Sequence, residues 1–300
     1  MTTRYYSVAG LRFSFTLPDS EKLWTMLEEN YSPFEVEASC DDTPLLFSLV
    51  YSEEPPCCDK GEKVYKSEET PGETLLELYR CADGGWYFES APDYRMKLAS
   101  KVKVDKDFSK AVFTLCDKTL STAHFAINNA AMVLFAFSAA RYGALEMHSS
   151  VIKNAGKAYL FLGKSGDGKS THSRQWLEHI EGSVLLNDDN PILRVDPQSG
   201  ETFIYGSPWS GKTKCYINDS APAGAMVRII KAPENKATRL PLIESYAILF
   251  SSCSGLKVDR ENADLIYATM EKVLEKVPFY SLECTPDRRA AEVCKDAVMK

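Results

Sequence analysis

From Thr3 to about Thr122 the chain alternates apolar and polar residues with period two in "YYSVAGLRFSFTL", "PLLFSLVYS", "GETLLELYRC", "GGWYFESA" and "KAVFTLC". That spacing predicts strands and hairpin arms, broken by Gly, Pro and Asp clusters. One stretch, "SEKLWTMLEEN", switches to helical spacing and opens on Ser20 as a candidate N-cap. The expectation for residues 1–122 is a mostly antiparallel, β-rich region. It gathers no set of catalytic residue types, so it is read as a scaffold or docking region.

Beyond residue 122 the pattern changes. "STAHFAINNAAMVLFAFSAARYG" has apolar residues at helical spacing and reaches Gly143, where a helix should stop. Strands follow at "ALEMHSSVIKN" and "KAYLFLG", then a helix at "KSTHSRQWLEHI" and two strands in "SVLLNDDNPILRV". Helices at "LIESYAILFSSCS" and "RENADLIYATMEKVLEKV", a strand "PFYSLEC" and a closing helix from Asp287 complete the chain. This alternation predicts an α/β core over residues 123–300 and an α+β protein overall.

Composition narrows the function classes. Hydrophobic residues at 44% and charged residues at 26% are ordinary globular values, and a net charge of −7 with no basic stripe argues against a nucleic-acid partner. The N-terminus lacks the continuous apolar segment of a signal peptide. The longest apolar run, Ala130 to Ala140, is too short for a membrane span. Nine cysteines, scattered apart from the adjacent Cys57 and Cys58, give no disulfide framework or paired zinc pattern. Reduced thiols in the cytoplasm are the expectation.

The chemistry concentrates in "GKSGDGKST", which fits G-x-x-x-x-G-K-[ST] at Gly163, Gly168, Lys169 and Ser170. It follows one expected strand and opens an expected helix, the context a phosphate-holding loop (P-loop) requires. Its glycines, with Ser165, Gly166 and Thr171 between and after them, let backbone N–H groups turn toward phosphate oxygens at the positive end of a helix. Lys169 would neutralise the β- and γ-phosphates, and Ser170 would offer its hydroxyl to Mg²⁺. Downstream, "SVLLNDD" supplies Asp188 and Asp189 at a strand end, where one holds Mg²⁺ and the other accepts a proton. By itself "NDDN" also fits a solvated turn. His148 begins the strand that runs into the hairpin presenting the loop, where an imidazole could bind a divalent metal or face the γ-phosphate.

With "MHSSVI", "FLGKSGDGKST" and "LLNDD" in this order, the chain resembles the HPr kinase/phosphorylase and phosphoenolpyruvate carboxykinase superfamily. "HSSVI" is similar to the carboxykinase "HCSAN" segment, and "YGSPWSGK" and "FYSLECTPD" look like segments of small HPr-kinase-related proteins. The resemblance is specific over about residues 145–190. It implies a P-loop nucleotide-binding core of that superfamily's type, with ATP and Mg²⁺ as cofactors and Mn²⁺ as a second candidate ion. Lys169 and Ser170 would bind phosphate and metal, Asp188 and Asp189 would serve as base and metal ligand in an open order, and His148 would lie beside the phosphates or a second metal. The chain departs from a carboxykinase in length and lacks the "E-[IV]-R-G" type signature of HPr phosphorylase activity.

In "YGSPWSGKTKCY", Ser207, Ser210, Gly211 and Lys212 could form a second anion-binding turn with Lys212 on the transferring group, or a Pro-Trp turn that plugs the core. Arg228 and Arg239 are weaker cation candidates. The reading that follows is phosphoryl transfer from ATP to a hydroxyl, of a serine in a peptide or protein or of a small serine-like acceptor. An ATP-binding regulatory module and a carboxykinase-like enzyme are the alternatives. HPr kinases assemble as hexamers, but the different N-terminal half leaves self-association of this chain open.

Overall fold

In the computed structural model, which describes residues 1–38, 44–57, 59–211 and 213–299, the N-terminal alternation folds as a hairpin of β1 (Thr2–Val8) and β2 (Leu11–Leu17). α1 (Glu21–Tyr31) follows, capped by Ser20, whose hydroxyl accepts from the Leu23 N–H. Further strands are β3 (Glu35–Val36), β4 (Phe47–Tyr51), β5 (Glu62–Lys66), β6 (Leu75–Arg80), β7 (Trp86–Ala91), β8 (Ser100–Val104) and β9 (Lys110–Leu115). Among the described residues they form a nine-stranded sheet in the order β3-β1-β2-β4-β9-β8-β7-β6-β5. Its pairs are antiparallel as expected except β2–β4 and β4–β9, which are parallel, so the sheet is mixed. Phe13, Phe15, Phe47, Phe88 and Phe113 are buried on it, with Phe13 stacked on Phe47 at 4.9 Å.

The apolar helix α2 (Leu120–Ser138) belongs to this first unit, Met1–Ser138, although the sequence pattern places it with the second half. With the turn that continues it to Tyr142 it makes a helical stretch of 23 residues, long and apolar enough to cross a bilayer, and 78% of its apolar window is buried, as in a core helix.

The second unit, Ala139–Lys300, is built on β10 (Ala144–Glu146), β11 (Ser149–Asn154), β12 (Lys157–Leu162), β13 (Val184–Asp189), β14 (Ile192–Val195), β15 (Thr202–Tyr205), β16 (Ser220–Lys231), β17 (Lys236–Arg239) and β18 (Phe279–Cys284). The order is β10-β14-β15-β16-β12-β11-β13, with β18 pairing β16 and β17. β12, β16 and β18 run parallel to one another, and the other pairs are antiparallel. The expected single strand "ALEMHSSVIKN" is in fact two, broken at Met147 and His148. β10 pairs with β14, while β11 pairs with β12 and β13.

Side chains alternate across this sheet. Tyr159 and Phe161 of β12 pack with Trp176 of α3 (Lys169–His179) and with Ala290, Ala291 and Cys294 of α6 (Arg288–Val298). Leu160 and Leu162 pack on the other face with Ile248 and Leu249 of α4 (Leu242–Ser252) and with Ile266, Met270 and Val273 of α5 (Arg260–Lys276). The result is a sheet between two helical layers, each burying the apolar stripe of its helices.

Candidate functional site

The glycine loop links β12 to α3. Gly163 has φ +153°, and a Cβ there would meet the Asp167 carboxylate at 2.9 Å; Gly168 has φ +106° and is the N-cap of α3. A side chain is disfavoured at both positions, so the loop keeps its backbone bare. The turn is closed by the Asp167 N–H donating to Lys164 O at 3.1 Å and the Lys164 N–H donating to Asp167 Oδ2 at 2.7 Å. Ser165 and Gly166 are exposed at its crest, Ser170 is exposed at the helix start, and Thr171 is half-buried.

Lys169 is buried and folds back over the loop. Its ammonium donates to Gly163 O at 3.0 Å and Lys164 O at 3.3 Å, and it lies 2.9 Å from His148 Nε2. His148 Nδ1 is 3.0 Å from Asp189 Oδ1. One proton assignment satisfies both contacts. Nδ1–H donates to Asp189, and Nε2 accepts from the ammonium, which has no lone pair to offer. His148 is held in this line by its own N–H, which donates to Ser252 O at 2.7 Å, and by the bridge from Met147 to Cys253. The end of α4 therefore sets the break in the strand.

The two aspartates take different partners. Asp188, buried, accepts from the Ser170 hydroxyl at 2.9 Å, while Asp189, one-third exposed, faces His148. The sequence leaves the order of the two aspartates open; in the structure the Ser170 hydroxyl is joined to Asp188 and His148 to Asp189. The cause is the strand pleat, which turns neighbouring side chains to opposite sides. Asp189 ends the strand with φ +134°, a conformation that non-glycine residues rarely adopt.

Asn187 and the 207–211 segment brace the pair. Asn187 Nδ2 donates to Ser207 Oγ at 3.2 Å and Trp209 O at 3.1 Å, and its Oδ1 accepts from the Asn190 N–H at 3.0 Å. The Ser207 hydroxyl donates to Asn190 O, the Ser210 hydroxyl to Asp188 O, and the Gly211 N–H to Asp188 O at 2.7 Å. Trp209 is buried. Residues 207–211 thus act as a plug that holds the aspartates, with both serine hydroxyls engaged by backbone. Lys212 lies outside the described residues. Arg239 stacks on Tyr280 of β18, at 5.3 Å.

Glu146, which the sequence does not single out, is buried two residues before His148 with Oε2 lacking a partner among the described residues. Burial, reinforced by the charge of Asp189, pushes its carboxyl up to about 8.

Two cavities flank the loop. One of about 720 Å³ is lined by His148, Gly163 and Lys164, with Arg228 and Lys231 of β16 and Glu244 of α4 among its walls. The other, of about 200 Å³, lies at Gly168, Thr171 and His172 and is closed by Thr285 and Pro286. A scan against protein-family models finds no match, and a search of curated proteins finds none either.

Proposed function

We propose that residues 139–300 form an ATP- and Mg²⁺-dependent phosphotransferase that passes the γ-phosphoryl group to a hydroxyl, in the manner of the HPr kinase and carboxykinase superfamily it resembles. The observation that carries this reading is the convergence of five groups from separate elements. Lys169 and Ser170 come from the loop and α3, Asp188 and Asp189 from β13, and His148 from the break before β11.

The donor lies along the loop. A P-loop lysine reaches the β- and γ-phosphates, so the terminal phosphate belongs at the Gly163 end and the nucleoside at the Thr171 end, beside the smaller cavity. Ser170 and Asp188 offer two hard oxygen ligands already 2.9 Å apart, a donor set that suits Mg²⁺. The ion's other ligands would be phosphate oxygens and water. Bound there, Mg²⁺ supplies charge neutralisation at the phosphates.

The chain's own residues do the rest. Lys169 turns from Gly163 O and Lys164 O to the phosphates, which releases His148 Nε2. The acceptor oxygen forms a bond to the γ-phosphorus, the bond from that phosphorus to the β,γ-bridging oxygen breaks, and its electron pair leaves with ADP. The hydroxyl proton passes to His148 Nε2, with Asp189 holding the imidazole in the tautomer that can take it. The loop amides and Lys169 position the group in flight.

The test is nucleotide turnover with and without acceptor in Asp188→Asn and His148→Gln. Removing the metal ligand should lower Mg²⁺-dependent turnover by about 100-fold or more, and removing the base by about 100-fold with ATP affinity retained. Turnover at the wild-type rate in both variants would end the proposal.

A further inference from the structure

The larger cavity carries more positive charge than the donor needs. Lys164, Arg228 and Lys231 line it, and none of the three side chains has an ion pair or hydrogen bond among the described residues. Two carboxylates share the walls. Asp167 is engaged by the Lys164 N–H at 2.7 Å, and Glu244 stands on α4 across from β16. The β- and γ-phosphates already have Lys169, the loop amides and the Ser170–Asp188 pair. Arg228 is placed by register rather than by chance. Its strand runs parallel to β12 and sets it beside Leu162, the residue that precedes the loop.

Resting on the phosphotransferase reading, we propose that this cavity is the acceptor site and that the acceptor is a small anionic alcohol, bearing a carboxylate or phosphate beside the hydroxyl that is phosphorylated. Three steps lead there. Cations left unpaired in a concave site with low-dielectric walls raise the local concentration of anions and favour their binding. The Arg228 guanidinium offers two parallel N–H groups, which match a carboxylate or phosphate edge. The volume of about 720 Å³ falls within the range of small-molecule sites, about 300–1,000 Å³. An extended peptide would instead seek a sheet edge, and β16 offers none here. It is paired by β12 on one side and β18 on the other along the cavity wall. His148 lines the same cavity, so an acceptor anchored on Arg228 and Lys231 presents its hydroxyl toward the base and the γ-phosphate.

The experiment uses the full chain with Mg²⁺ and γ-labelled ATP. The acceptors are glycolate, D-glycerate, L-serine and glycerol 3-phosphate, against their uncharged counterparts ethylene glycol and glycerol and a serine peptide with both termini blocked. ATP affinity is titrated separately. The expected result is labelled product from at least one anionic alcohol, with kcat/KM at least 100-fold above the uncharged compounds. Arg228→Gln, an exposed position, should raise that acceptor's KM about tenfold or more and leave the Kd of ATP within twofold, and Lys231→Gln should act in the same direction. Equal labelling of uncharged alcohols, preferential labelling of the blocked peptide, no labelling of any anionic alcohol, or an Arg228→Gln defect confined to ATP binding would each overturn the assignment. A wild-type chain that binds no ATP fails the donor reading itself, and the acceptor assignment falls with it.

Discussion

Asp189 sits at φ +134°, where a side chain costs about 1–3 kcal/mol. Replacing it by Ala removes its contacts to His148 at 3.0 Å and Asn190 at 3.2 Å but keeps the strained backbone. Replacing it by Gly removes the same contacts and the strain together. At an ordinary position Gly is the less stable of the two by about 0.5–1 kcal/mol, because it loses more backbone freedom on folding. Here strain relief exceeds that penalty, so Asp189→Gly should be more stable than Asp189→Ala by about 0.5–2 kcal/mol. Hydrogen exchange across a urea series, read on peptides from β11 to α3, scores the second unit alone. Both variants should lose transfer activity. An Ala variant as stable as the Gly variant, or more so, would refute the claim that backbone strain is held at this residue to aim its carboxylate.

Other consequences concern the packing behind the site. His172 is buried, accepts from Trp176 Nε1 at 3.1 Å and meets the Phe161 ring at 4.6 Å; burial pushes it down to about 4. Its folded value lies below the unfolded one, so the unfolded chain binds the extra proton. The contribution of His172 to stability is therefore fully present above about pH 6.5 and declines as pH falls toward 4, by about 3 kcal/mol. Glu146, raised to about 8, contributes the opposite slope, so the difference in unfolding free energy between the wild type and His172→Phe should carry the His172 slope between about pH 6.5 and 4; a difference independent of pH would exclude this residue as the source. Gly206 precedes the 207–211 plug, and a Cβ there would lie 1.9 Å from Ile217 O. Gly206→Ala should destabilise the second unit by about 1–3 kcal/mol in urea unfolding, and a neutral effect would mean that the plug is loose.

The glycine loop was legible because a turn that keeps its backbone bare places glycines at short offsets within one segment. The period-two strands, the cap at Ser20 and the start of the last helix at Asp287 were legible for a similar local reason. β8, "SKVKV", carries the same alternation, with Ser100, Val102 and Val104 buried, and was open to the same reading. β16 was not. Pro222 and Gly224 make its first half look like a loop, and only the exchange of partner from β15 to β12 accommodates them. The break at Met147 and His148 escaped because it is imposed by Ser252 and Cys253, which lie far along the chain. The different partners of Asp188 and Asp189 depend on the strand pleat and on the φ of +134° at the second residue. Arg228 reads as one arginine among many until the parallel register sets it beside the loop.

The most direct measurement is calorimetric titration of the chain with ATP in the presence and absence of Mg²⁺, repeated with Lys169→Ala and with GTP. Lys169 is the hub on which Gly163 O, Lys164 O and His148 converge, and removing a charge-assisted donor of this kind from a phosphate site costs about 1.5–3 kcal/mol for each bond lost. Mg²⁺ should enhance binding of ATP by the wild type, binding should weaken at least about tenfold in the variant, and GTP should bind less tightly. Equal affinity in the wild type and the Lys169→Ala variant, or no binding of either nucleotide, would contradict the donor reading.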